Sequence, residues 1–117
     1  MWTDGRKHSF IVSVLRSGYR RWPPKYEILK EAFTGKKLNP NTKRIAAHYL
    51  CASCKDEYPG REINVDHIDP VVSPTDGFLS WDVFVERLFC EKENLQVLCN
   101  TCHDKKSKGE RKLRSKK

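Results

Sequence analysis

Asp66 and His67 stand side by side in Val65-Asp66-His67-Ile68-Asp69-Pro70, which puts a hard oxygen donor next to a titratable base. A carboxylate suits a hard divalent cation, and imidazole is the side chain whose proton exchanges near neutral pH. Successive side chains on an extended strand leave opposite faces, so the two can serve one reacting group only if the chain bends. Asp69 and Pro70 supply the bend. A lone Asp-His pair is usually a solvated strand end. This one is singled out by its company, with Cys51-Ala52-Ser53-Cys54 upstream and Glu93 through Cys99-Asn100-Thr101-Cys102-His103 downstream.

The cysteines carry a second, softer chemistry. Of five, four form two Cys-x-x-Cys pairs, Cys51/Cys54 and Cys99/Cys102, separated by residues 55–98. In a chain that opens without the apolar stretch of a secretion signal, such pairs predict zinc rather than disulfides. A four-thiolate site is closed, so its metal would stabilise the domain and not activate water. Cys90 is left over and is expected to be a buried apolar residue. His103 follows Cys102 at the start of a predicted helix. It either faces away from the zinc, toward Asp66, or replaces one cysteine as a ligand.

Several elements must position these groups. Ser9 to Arg16 predicts a helix with Phe10, Ile11, Val14 and Leu15 on one stripe, ended by Gly18. Arg16, Arg20 and Arg21 interleave with Tyr19 and Trp22, a pattern that either clamps phosphates and stacks on bases or lids a small core. Pro23-Pro24 predicts an extended turn, followed by a helix over Lys25 to Phe33 with Pro24 near its first turn, where the missing N–H does no harm. Gly35 to Lys43 reads as a polar, basic connector. Strands are expected over Ile45 to Cys51, Ile63 to Val65 and Leu95 to Leu98. Ser80 caps an amphipathic helix bearing Trp81, Phe84, Val85, Leu88 and Phe89. A last helix starts at Asn100, with Ser107 to Lys117 expected to fray.

Composition sets the frame. The chain has 117 residues, 38% hydrophobic and 32% charged, a polar balance in which a metal would help hold a modest core. No apolar run approaches the roughly 18 residues of a membrane span, so a soluble, cytoplasmic protein is expected. The formal charge of +8 is unevenly spread: residues 1–44 hold eleven Lys/Arg against three Asp/Glu, residues 45–103 four against ten, and residues 104–117 eight against two. Basic arms around an acidic centre suit a protein that grips a polyanion and concentrates carboxylates for a cation.

Taken together, Cys51-x-x-Cys54, Val65-Asp66-His67-Ile68-x-Pro70 and Asn94-Leu95-Gln96-x-Leu98-Cys99-x-x-Cys102-His103-x-x-Lys106 resemble the HNH endonucleases, a family of ββα-metal nucleases. The small size and basic N-terminal arm are similar in general character to free-standing, phage-encoded members. The resemblance implies an α+β fold. A basic helical arm (1–44) would precede a ββα-metal core with a four-cysteine zinc site (45–107) and a flexible basic tail (108–117). It also implies that Asp66 and His103 hold a catalytic Mg²⁺, Mn²⁺ or Ni²⁺, that His67 is the general base, and that Asn94 holds the His67 loop in register. Lys106 or Lys105 would contact phosphate.

The function expected on this reading is metal-dependent hydrolysis of DNA phosphodiester bonds, one strand nicked per active site. Arg16, Arg20, Arg21, Lys105, Lys106 and Lys108 would contact the nucleic acid, without a membrane partner. A phage origin would add packaging or replication proteins as partners. The competing reading is a non-catalytic, zinc-bound DNA-binding or packaging-associated module. The sequence assigns no role to residues 71–93 and leaves the oligomeric state open.

Overall fold

Strand β5 (Leu95–Cys99) is the axis of the molecule, and Leu95, Val97, Leu98 and Cys99 on it are all buried. In the computed structural model, which describes residues 1–115, β5 pairs antiparallel with β4 (Ile63–His67), Asp66 opposite Gln96 and Ile63 opposite Cys99. Helix α4 (Asn100–Ser115) leaves β5 directly and packs on both strands. The result is a two-stranded ribbon backed by one helix.

A second sheet has the order β1-β2-β3, with β1 (Phe33–Asn39) against β2 (Arg44–Leu50) and β2 against β3 (Glu57–Pro59), all antiparallel. The sheet runs straight into Cys51, which is 0% exposed. The backbone N–H of Cys51 donates to the Asp56 carbonyl (2.9 Å) and that of Ala52 to Val97 (2.8 Å), stitching the β2–β3 turn onto β5. Leu98, Cys99 and Cys51 form one small core, joined by Tyr58 and Cys102.

The other core lies between helices. Helix α3 (Trp81–Leu88) is capped by the Ser80 hydroxyl, which accepts from the Val83 N–H. It buries Phe84 and Leu88 with Val71 against Val12, Leu15 and Tyr19 of α1 (Asp4–Tyr19). Fully burying side chains such as Phe84 and Leu88 contributes about 1.5–3 kcal/mol each. Helix α2 (Pro23–Ala32) bridges the two regions by packing on β5, β4 and β2.

Five expectations are corrected by this arrangement. Pro23 and Pro24 form the first turn of α2 rather than an extended turn, because the first helical N–H groups have no intrahelical acceptor and proline lacks only that donor. Gly35 to Lys43 is strand and turn rather than connector, so the first 44 residues are not a purely helical arm. Exposed Lys36, Lys37 and Leu38 hide the polar–apolar alternation that marks a strand, and Gly35 absorbs a register shift at φ 133°. Helix α1 begins at Asp4, capped by Thr3, and passes through Gly18. Lys108 to Ser115 continue α4 in place of a fraying tail, while Lys116 and Lys117 lie outside the described residues. Cys90 is only half-buried.

Candidate functional site

Two sets of ligand-bearing side chains meet on this frame. Cys51 directly follows β2, Cys54 closes the turn after it, Cys99 ends β5 and Cys102 lies in the first turn of α4. Their four sulfurs lie within 4.8 Å of one another. Tetrahedral thiolate coordination with ~2.3 Å bonds separates sulfurs by about 3.8 Å, so this cluster can hold a metal ion. Burial pushes the Cys51 thiol up, but N–H groups of Cys54, Cys99 and Ser53 together overcome it and bring the pKa down to about 6. The Cys99 N–H lies 3.3 Å from that sulfur. Cys102 is pushed the other way, to about 11, first by its hydrogen bond to Cys99 and then by burial. Crowded thiols resist sharing negative charge, and a divalent cation reverses that by making every thiolate a ligand.

The second set straddles β4 and α4. The register that sets Gln96 opposite Asp66 lets the Gln96 amide donate to Asp66 Oδ2 (3.1 Å), and Lys106 Nζ donates to the same oxygen at 2.6 Å. With Oδ2 held twice, Oδ1 is left toward His103 Nε2, 3.8 Å away. Two donors on opposite sides of an ion with ~2.1 Å bonds stand about 4.2 Å apart, and neighbouring donors closer, so the 3.8 Å separation lies in the range of two ligands of one hard cation, while the Lys106 ammonium already neutralises the same carboxylate. His103 therefore faces Asp66 while all four sulfurs cluster without it, which removes the alternative that it replaces a cysteine. Lys106 also donates to the His67 carbonyl and lies 3.5 Å from Glu110. It is committed to the protein, whereas Lys105 and Lys108 are exposed.

His67 leaves the other side of β4, because the strand stays extended through it and the bend expected from Asp69 and Pro70 comes only after it. Its ring packs against Tyr19, centroids 5.0 Å apart, and Nε2 lies 3.0 Å from the Leu88 carbonyl. A carbonyl only accepts, so Nε2 carries the proton and the Nδ1 lone pair is free. Burial lowers the pKa, and the Arg16 and Lys106 charges add to it against the raising effects of the Leu88 carbonyl and Asp66. The neutral imidazole is thus favoured over the charged one. The loop that follows is pinned by Asn94: its Oδ1 accepts from the Asp69 N–H (3.0 Å), its amide donates to the Asp69 carbonyl (3.4 Å), and its own carbonyl accepts from Ile68 (2.8 Å).

The aromatics among the arginines lid the core. Trp22 donates to the Cys90 carbonyl at 2.7 Å and stands edge-on to Phe89, while Tyr19 sits under His67 with its hydroxyl buried and unpartnered among the described residues. Burial pushes that phenol up to about 12. Arg16, over the Phe84 ring at 5.7 Å, Arg20 and Arg21 are exposed. Two contributors escape sequence reasoning, the Leu88 carbonyl and the Gln96 amide, whereas Tyr19 takes the lid role that its place among the arginines left open. Scans of protein-family models, curated proteins and solved structures each found no match.

Proposed function

We propose that the chain is a metal-dependent DNA endonuclease of the HNH type, with zinc in the Cys51, Cys54, Cys99 and Cys102 cluster. The observation that carries the reading is the pairing of a preset carboxylate with a preset base. Asp66 Oδ1 faces His103 Nε2 because Lys106 and Gln96 hold Oδ2, and His67 keeps Nδ1 free because Leu88 holds Nε2. A structural or binding module needs neither arrangement.

Asp66 and His103 would hold the divalent cation, Mg²⁺, Mn²⁺ or Ni²⁺, which when bound supplies Lewis-acid stabilisation of the phosphate and of the leaving 3′ oxygen. With two protein ligands, coordination positions remain for water and phosphate. His67 Nδ1 would take the proton of the attacking water; the lowered pKa keeps it unprotonated, and the Leu88 carbonyl stabilises the imidazolium that forms. Asn94 keeps the loop after His67 from drifting. Arg16, whose charge is felt at His67, would meet phosphate together with Arg20, Arg21, Lys105 and Lys108. One such centre cuts one strand. The single helical face of α3, unassigned by the sequence, finds its role here: it ends at the carbonyl that orients the base.

The test is incubation of the zinc-loaded protein with supercoiled plasmid and Mg²⁺ or Mn²⁺, with and without chelator. Open circles should accumulate only with the added ion. His67→Ala should slow nicking by roughly 10²-fold or more while zinc content and DNA affinity stay as in the wild type. Plasmid left intact under every ion would instead favour a non-catalytic DNA-binding module.

A further inference from the structure

The β1–β2 ribbon takes no part in either ligand set, yet its surface is unlike the rest of the molecule. From residue 32 to residue 55 the chain contains no Asp or Glu but five Lys/Arg. Lys37 is paired with Glu57. Lys36, Lys43 and Arg44 have no carboxylate at ion-pair distance among the described residues. Leu38 and Ile45 face each other across the strands and are 58% and 67% exposed. Alternate residues share a face, so Lys36 lies beside this aliphatic pair, Arg44 leaves the opposite face, and Lys43 sits at the turn with φ 61°. The turn is closed by the Lys43 N–H on the Asn39 carbonyl (2.7 Å) and by the Asn39 side chain, which accepts from Asn41 (2.9 Å). The tip is therefore a shaped element rather than a loose loop.

We propose that this ribbon docks in the major groove of duplex DNA, Lys36, Lys43 and Arg44 on the phosphate walls and the Leu38–Ile45 pair toward the base edges. The inference rests on the reading of the chain as a DNA-acting protein and adds the element that seats the duplex. A two-stranded ribbon fits a groove about 12 Å wide and not one of about 6 Å, and aliphatic side chains there meet thymine methyls. A second copy of the chain is disfavoured as occupant, because pairing two such edges would bring lysines against lysines. The ribbon's root is fixed as well: β2 runs directly into Cys51 of the metal cluster, so the angle at which the tip meets DNA is set by the same metal that braces β5.

The experiment measures binding of a short fluorescent duplex by anisotropy across a salt series, without added magnesium or manganese, on full-length zinc-loaded protein. Lys36→Ala/Lys43→Ala/Arg44→Ala should weaken binding at least tenfold and flatten the slope of log affinity on log salt by about 2–3, near 0.9 for each phosphate no longer neutralised. Leu38→Ser/Ile45→Ser should keep the slope, lose affinity several-fold, and abolish protection of guanine N7 from dimethyl sulfate. All five positions are exposed, so unchanged melting curves should accompany both variants. Wild-type affinity and slope in the triple variant would overturn the proposal. So would protection confined to adenine N3 in the minor groove, equal competition by polyglutamate, or a dimer that disappears in the Leu38/Ile45 variant. Plasmid nicking is scored separately: ribbon-dependent binding without nicking sinks the nuclease reading and leaves this inference standing, and nicking with ribbon-independent binding does the reverse.

Discussion

Two antiparallel strand pairs of the molecule, β1–β2 with seven-residue strands and β4–β5 with five-residue strands, are opposites. In β4–β5 the inner strand is buried almost throughout, Leu98 at 3% exposure, and its partner carries Asp66 and His67 between two packed helices. In β1–β2 the apolar pair at the tip faces outward. Burial decides what each can be used for. A ribbon clamped on both faces holds side-chain atoms in fixed relation, as a reacting centre requires. An exposed, positively charged ribbon keeps its side chains available for a partner.

The largest effect that would test this contrast comes from the element both ribbons share. Cys54→Ser, or stripping of the metal, should unfold the protein. Structural zinc binding is worth roughly 10–16 kcal/mol, and domains are stable by only about 5–15. Zinc content and a far-ultraviolet melt check this, and a metal-free protein that still melts cooperatively would show that the cores suffice alone. Next, the same truncation in each ribbon should give different answers in urea titrations. Leu98→Ala should cost about 2–4 kcal/mol and Leu38→Ala no more than about 0.5. Equal costs would mean that the outer ribbon is packed in solution.

Acidity probes the clamped ribbon alone. With the pKa of His67 lowered from its ordinary 6.5 by burial, the acid limb of the nicking rate should fall below pH 6.5. Stability follows the same sign: the unfolded chain takes up the proton first, so the folded state loses stability as pH drops from 6.5 through the lowered value, and not above 6.5. A rate that already declines above pH 6.5 would contradict the buried, neutral imidazole. The smallest effect is expected at Tyr19→Phe. Its hydroxyl is buried without a partner among the described residues, so removal should be neutral or stabilising by up to about 1 kcal/mol, since an unmade hydrogen bond cannot be lost. A clear destabilisation would reveal a partner bound there in solution.

How much of this could be read from the sequence depends on where the information sits. Side-chain types at fixed spacing were legible: the two cysteine pairs converge, Ser80 caps the helix whose stripe includes Phe84 and Leu88, and His103 lies within 3.8 Å of Asp66. Asn94 sits on the loop after His67. The strand at Phe33–Asn39 was illegible because its exposed lysines show no alternation, and Pro23 reads as part of a break although it, like Pro24, lies in the first turn of α2. The Leu88 carbonyl that sets the His67 tautomer was beyond reach for a different reason. A backbone oxygen is the same at every residue, and only the packing of α3 against α1 brings this one to the imidazole. Lys106, which the resemblance sets at phosphate as an equal candidate with Lys105, donates to Asp66, a contact that its position alone does not announce.

The separation of the cysteine pairs has a consequence for how the protein is made. Cys54 and Cys99 are 45 positions apart yet end 4.0 Å from each other. At about 5–20 residues per second of synthesis, the first pair emerges roughly 2–9 s before the second exists. During that interval the outer ribbon can form its own hydrogen bonds, while β5 and its half of the thiolate cluster are still missing. Two exposed thiols must then wait, open to oxidants and to stray metal, until the last strand arrives. A nascent chain in that interval should therefore be lost more readily than the molecules already folded.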